Sequence, residues 1–235
     1  MLNTNMHSSE DMIYGAYVGK IKYLLDKIKN DSTMSVEYFD DSVCNLVIMN
    51  SIIESINDKK HICPKDMCNR IDNLTKSGSI LYAISPLAFA DIFGIHHELD
   101  DVIMQITKSF TNDKKTQLLC VEYIHLLHDI IWHKINKNDI IKIIPELDVL
   151  ESELVCSNSD KDIFFAALWS FVFSNNYKSC YDVASNLKNT NSDISGVAGV
   201  FAGLYYGVDS IPYDWVKQVF DSFLIDHKSL NIQML

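Results

Sequence analysis

Ile194–Gly207 reads ISGVAGVFAGLYYG, and the fold is decided there. Gly196, Gly199, Gly203 and Gly207 recur at steps of three and four, which places them on one face of one helix. A glycine inside a helix costs about 1 kcal/mol relative to alanine. Several of them on one face make sense only if a neighbour grips that helix closely, with the two backbones nearly touching. The stretch is therefore expected to be a central helix, with the rest of the chain packed around it.

Working outward, the apolar spacing stays helical. Asp162–Phe173 and Tyr177–Leu187 precede the glycine-faced stretch, and Pro212–Phe223 follows it, with Pro212 in a first turn that tolerates proline. Upstream, Tyr14–Ile28 places Val18, Ile21, Leu24, Leu25 and Ile28 on a helical stripe, and Asp41–Ile56 and Gln117–Trp132 do the same. Asn136–Asp139 and Asn186–Asn191 are polar and predict loops. No segment alternates apolar and polar residues long enough to argue for a sheet. The pattern predicts an all-α fold over 1–235, a single compact domain of about ten orthogonally packed helices.

Apolar residues make up 48% of the chain, too many for a disordered one. The 20 basic residues face 31 acidic ones, a formal net charge of −11, and every base except Arg70 is a lysine. A surface so acidic and so poor in arginine excludes nucleic-acid recognition and attraction to anionic membrane. It suits solubility, divalent cations or a basic protein partner. The N-terminus lacks a basic segment followed by an apolar one, no apolar run reaches membrane-spanning length, and Cys44 and Cys120 fall within apolar stretches as free thiols do. Those features predict a cytoplasmic protein.

Few constellations carry chemistry. Cys63 and Cys68 have the wrong spacing for a zinc knuckle, and His61 adds no second ligand pair. His125 and His128 share a helix face without a carboxylate at matching spacing, with His133 at the helix end. His96-His97-Glu98 predicts a helix start. Asp40-Asp41 and Asp193 each open a predicted helix, where acids are favoured by the macrodipole; the same acids could serve as hard oxygen ligands for a divalent cation. Serine-hydrolase elbows and phosphate-cradling glycine motifs are absent.

Several segments, in order, resemble the ADP-ribosylglycohydrolase family. Ala166–Phe171 (AALWSF), Asn186-Leu187, Ala202–Gly207 (AGLYYG) and Ile211–Trp215 (IPYDW) are similar to its C-terminal half. Ser77–Ala90 (SGSILYAISPLAFA), Tyr38–Leu46 (YFDDSVCNL) and Gly15–Gly19 (GAYVG) are similar to its upstream motifs. The resemblance covers roughly residues 13–220. It implies an all-α orthogonal fold with a central cleft, in which active members hold two divalent cations, usually magnesium, on a TDD motif and a DTDT motif. The metals orient the ribose and assist water in cleaving an ADP-ribosyl bond.

Carried onto this chain, that site is depleted. TDD becomes Phe39-Asp40-Asp41, so an oxygen ligand is lost to a ring. DTDT becomes Thr190-Asn191-Ser192-Asp193, so Thr190 and Ser192 stand where the family has aspartates and Asp193 stands on its last threonine. The glycine pair before that motif is Lys188-Asn189, Met-Arg is Tyr82-Ala83, Gly-Asp-Ala is Tyr23-Leu24-Leu25, and Thr107–Asn112 lacks the family's histidine. Asp40, Asp41 and Asp193 are the residual metal candidates; Phe39, Ser77, Gly78, Tyr82, Thr190 and Ser192 are the cleft positions. No catalytic residue is assigned, and no cofactor is expected beyond a single Mg²⁺. The resemblance and its losses together imply a pseudoenzyme that binds a protein partner, most concretely an immunity or antitoxin protein against an ADP-ribosyltransferase toxin. The alternative is an active metal-dependent ADP-ribosyl hydrolase with a rearranged site. The third is a structural, crystallin-like role.

Overall fold

The computed structural model describes residues 9–30, 40–57, 63–74, 76, 78–90, 99–131 and 135–219, with side chains over 14–27 of the first helix and 43–55 of the second. Ten helices carry labels: α1 (Ser9–Asn30), α2 (Asp40–Asn57), α3 (Pro64–Asp72), α4 (Ile80–Ile84), α5 (Leu99–Thr107), α6 (Lys114–Ile131), α7 (Lys137–Ile143), α8 (Asp160–Val172), α9 (Tyr177–Asn186) and α10 (Ser192–Tyr206). A further helix runs over 213–219. Among the described residues there is no strand, so the fold is all-α as the periodicity predicts. No described helix is long and apolar enough to cross a membrane.

Helix α10 is the centre of the packing. Every residue from Ile194 to Leu204 is buried, and α1, α4, α6, α8 and α9 all lie against it. Its tightest neighbour is α1. A Cβ on Gly15 would run into the Gly199 carbonyl oxygen and lie 2.8 Å from the Gly203 Cα, and one on Gly19 would run into the Ser195 carbonyl oxygen. The two backbones touch as the glycine spacing predicts. Gly207 departs from that prediction: it lies just past the helix rather than within it. It ends α10 at φ 82°, and its N–H donates to the Gly203 carbonyl.

Asn191 starts α10 with a side-chain oxygen that accepts from the Ile194 N–H at 2.9 Å. Ser159 and Asn176 cap α8 and α9 in the same way. Asn136–Asp139, read from composition as a loop, is the cap and first turn of α7: Asn136 accepts from the Asp139 N–H, and Ile140 anchors the helix in the core. The polar residues there are capping residues, which is why composition misleads.

On the far side of α10, Tyr123, Phe164, Phe171 and Phe201 pack edge to face and stacked in the core. Tyr177 threads between α9 and α1 and donates to the Gly15 carbonyl at 2.6 Å. A satellite cluster of Tyr23, Leu24, Tyr181 and Trp215 joins α1 to the 213–219 helix. Cys44, Cys120 and Cys180 are buried free thiols, as the apolar context of the first two predicts.

Candidate ligand cleft

The N-terminus of α10 faces α1, α4 and the start of α8, and the candidate site residues that are described gather there. Asp193 occupies the first turn of α10, where the helix dipole favours a carboxylate. Its Oδ1 accepts from Lys20 Nζ of α1 at 2.7 Å. Lys20 is buried and Asp193 mostly so, with side chains 3% and 14% exposed. The Lys20 ammonium also sits 4.5 Å from the centroid of the Tyr82 ring, a cation–π contact from α4. Burial pulls the Lys20 amine below the ordinary lysine range, and Asp193 pushes back in the other direction.

A second acid stands nearby. Asp160 opens α8, and its Oδ1 accepts from Ser79 Oγ at 2.7 Å and from the Ile80 N–H at 3.1 Å. Ser79 is itself the cap of α4, so one carboxylate serves the starts of two helices. Burial raises the Asp160 carboxyl above its usual range; the Ser79 and Ile80 hydrogen bonds oppose that, and the negative charge of Asp193 adds to it. Asp160, Ser79, Gly78, Cys44, Lys76 and Phe110 line a cavity of about 120 Å³. Lys76 points its amine at the Ser109 carbonyl at 2.6 Å rather than at Asp160. Asn45 of α2 donates to the Tyr82 carbonyl at 2.8 Å and to Ser85 Oγ at 3.0 Å, which fixes α4 against α2.

The structure thus brings Asp193 and Tyr82 together through Lys20 and puts Gly78 on the cavity wall. Thr190 is turned away into the loop: its hydroxyl donates to the Ala184 carbonyl at 2.7 Å, and its own carbonyl accepts from Tyr23 OH at 3.0 Å. Ser192 is the first residue of α10. Asn189, at a position where the family has glycine, adopts φ 59°, the left-handed region that asparagine tolerates. Asp40 and Asp41 open α2 as predicted; their side chains lie outside the described residues, as do Phe39 and Ser77. The predicted helix start at His96 and the end of the histidine cluster at His133 also lie outside. His125 bonds Asp100 at 2.6 Å on the surface, whereas His128 is buried.

Among the described residues, no three histidine, cysteine or acidic side chains converge to hold an ion, and the one acid of the depleted motif already carries a cation. Sequence reasoning missed both Lys20 and Asp160. The signal for Lys20 was a lysine inside the apolar stripe between Val18 and Ile21; the signal for Asp160 was a helix start two residues before the one read from periodicity.

The all-α arrangement around a gripped central helix is similar in fold to a known structure. It superimposes on a solved chain described as an ADP-ribosylglycohydrolase-related protein complex, with a TM-score of 0.54 over 77% of each chain at 17% identity. In sequence, 58 residues are 38% identical to the ADP-ribosylarginine hydrolase Tri1 of Pseudomonas putida (strain GB-1). That stretch is 25% of this chain and 16% of the relative. No family profile matches the chain.

Proposed function

We propose that this chain is a catalytically impaired ADP-ribosylglycohydrolase-like protein of the cytoplasm that acts by binding a protein partner. Its most concrete form is an immunity or antitoxin protein that neutralises an ADP-ribosyltransferase toxin. The observation that carries the reading is the state of Asp193. It is the sole carboxylate left in its motif, and Lys20 already neutralises it. The hydroxyl of Thr190, at a family aspartate position, is committed to a loop hydrogen bond. Blocking a transferase needs shape and charge rather than Lewis-acid chemistry, and a net charge of −11 suits a basic partner.

The test has two arms. The purified protein should release no ADP-ribose from ADP-ribosylated arginine or serine proteins, with or without magnesium. If a transferase toxin is encoded beside its gene, the protein should inhibit that transferase in a one-to-one titration. A second reading, an active ADP-ribosyl hydrolase, is favoured by the stretch shared with an ADP-ribosylarginine hydrolase. Turnover by the parent that disappears in Asp40→Ala or Asp41→Ala would establish that reading and end the first.

A further inference from the structure

We propose that Lys20 is a resident cation, built into the fold where a divalent ion would otherwise neutralise Asp193. Three observations carry this. The ammonium lies 2.7 Å from Asp193 Oδ1 in a pair almost closed to water. The Tyr82 ring, 4.5 Å away, gives the charge a second anchor on the opposite wall. Gly196, one turn past Asp193, keeps the slot open: a Cβ there would lie 3.1 Å from Lys20 Cβ and 2.9 Å from the Tyr82 ring. The lysine stem, the ring and the missing side chain therefore form one fitted unit.

The physics favours exclusivity. A buried carboxylate needs a partner, and removing one member of a buried pair leaves an uncompensated charge. A dication approaching Asp193 would have to displace the ammonium, or sit beside it against its repulsion. The inference rests on the reading of this cleft as impaired, but its test uses no activity.

The test is thermal unfolding of the full chain in EDTA and in millimolar MgCl₂ or MnCl₂. An ion held at a hundred times its Kd would raise Tm by roughly 5–10 °C in a chain of this size. The parent should not respond. Lys20→Met should unfold at lower temperature and gain a Tm rise with the divalent ion. Lys20→Met with Asp193→Asn should recover part of the loss and respond to no metal. A double variant as unstable as Lys20→Met would overturn the proposal, because Lys20 would then act through packing alone.

Calorimetric titration of Mg²⁺ into the parent and into Asp193→Asn keeps the proposal testable if Lys20→Met does not fold. No heat in either, or heat unaltered by Asp193→Asn, supports it. Binding by the parent that Asp193→Asn abolishes overturns it. Release of ADP-ribose by the parent in EDTA would end the proposed function and leave this inference standing, so the two failures are distinguishable.

Discussion

Replacing Gly199 by alanine tests the contact on which the fold is built. Its Cβ would run into the Gly15 carbonyl oxygen, with the carbonyl carbon at 3.0 Å and the Gly19 Cα at 3.2 Å. All three atoms are backbone, so no side chain can rotate aside and α1 must move. A helix pair opened by about 0.5–1 Å forfeits a quarter to a half of its dispersion energy at each contact. Overpacking of this kind costs about 1–3 kcal/mol, and more where the backbone is rigid. Alanine returns about 1 kcal/mol of helix propensity. Because the clash is backbone on backbone, the upper end of about 3 kcal/mol applies, and the net loss of about 2 kcal/mol corresponds to a Tm lower by roughly 4–8 °C at this chain length. Urea titration should show a lower midpoint at unchanged slope, which marks a change in stability rather than in the denatured state. Gly199→Leu should lose more. If Gly199→Ala unfolds at the parent's midpoint, α1 and α10 are not seated backbone to backbone, and the central position of α10 falls with that contact.

Two further variants read the electrostatics. Asp160→Asn keeps an oxygen for Ser79 and the Ile80 N–H but removes a charge disfavoured by burial and by Asp193. Since the folded pKa lies above the unfolded one, the native state binds more protons just above the usual carboxylate range, and this group's contribution falls as pH rises through that window. The parent should thus lose stability relative to Asp160→Asn between acid and neutral pH in chemical denaturation; parallel curves would refute it. Lys137 lies over the Phe171 ring and donates to the Phe171 and Ser174 carbonyls at 2.6 Å and to Tyr206 OH, yet burial lowers its amine to about 8. The unfolded chain holds that proton up to about 10.4, so the parent should gain stability from pH 8 to pH 10 relative to Lys137→Met. A stability difference that stays constant over that range would show that Lys137 keeps an ordinary pKa.

The helices were legible because each buries a stripe that recurs with the helical period. Tyr14–Ile28 in the sequence reading became Ser9–Asn30, and Ile194–Gly207 became Ser192–Tyr206. The ends shifted because caps and polar first turns carry no apolar signal, and that cost the reading Asp160 and hid α7. The glycines of α10 announced a close neighbour without saying which one. Gly15 and Gly19 are the other half of the contact, yet in the sequence they stand out only as the ends of GAYVG. The cleft was harder still. Lys20 and Asp193 are 173 positions apart, and nothing local to either residue announces the other. Resemblance points to the positions where the family's ligands would stand. What surrounds those positions here depends on which helix faces which, and that is a property of packing.

The charges of the cleft are answered from within the chain. Asp160 is held by a serine hydroxyl and the backbone of α4, and Asp193 by a lysine of α1. Each of these ties joins the start of one helix to another element: α8 to α4 beside the cavity, and α10 to α1. Replacing a buried ion pair by apolar residues of similar volume is often neutral or stabilising. Its presence here is therefore poorly explained by stability alone and better explained by shape. Lys20 ties the N-terminus of α10 to α1. A protein that recognises a partner by the contour of this cleft gains a surface indifferent to metal supply. Under that reading, the lysine that removes a ligand position from metal chemistry also preserves the geometry the metals would have organised.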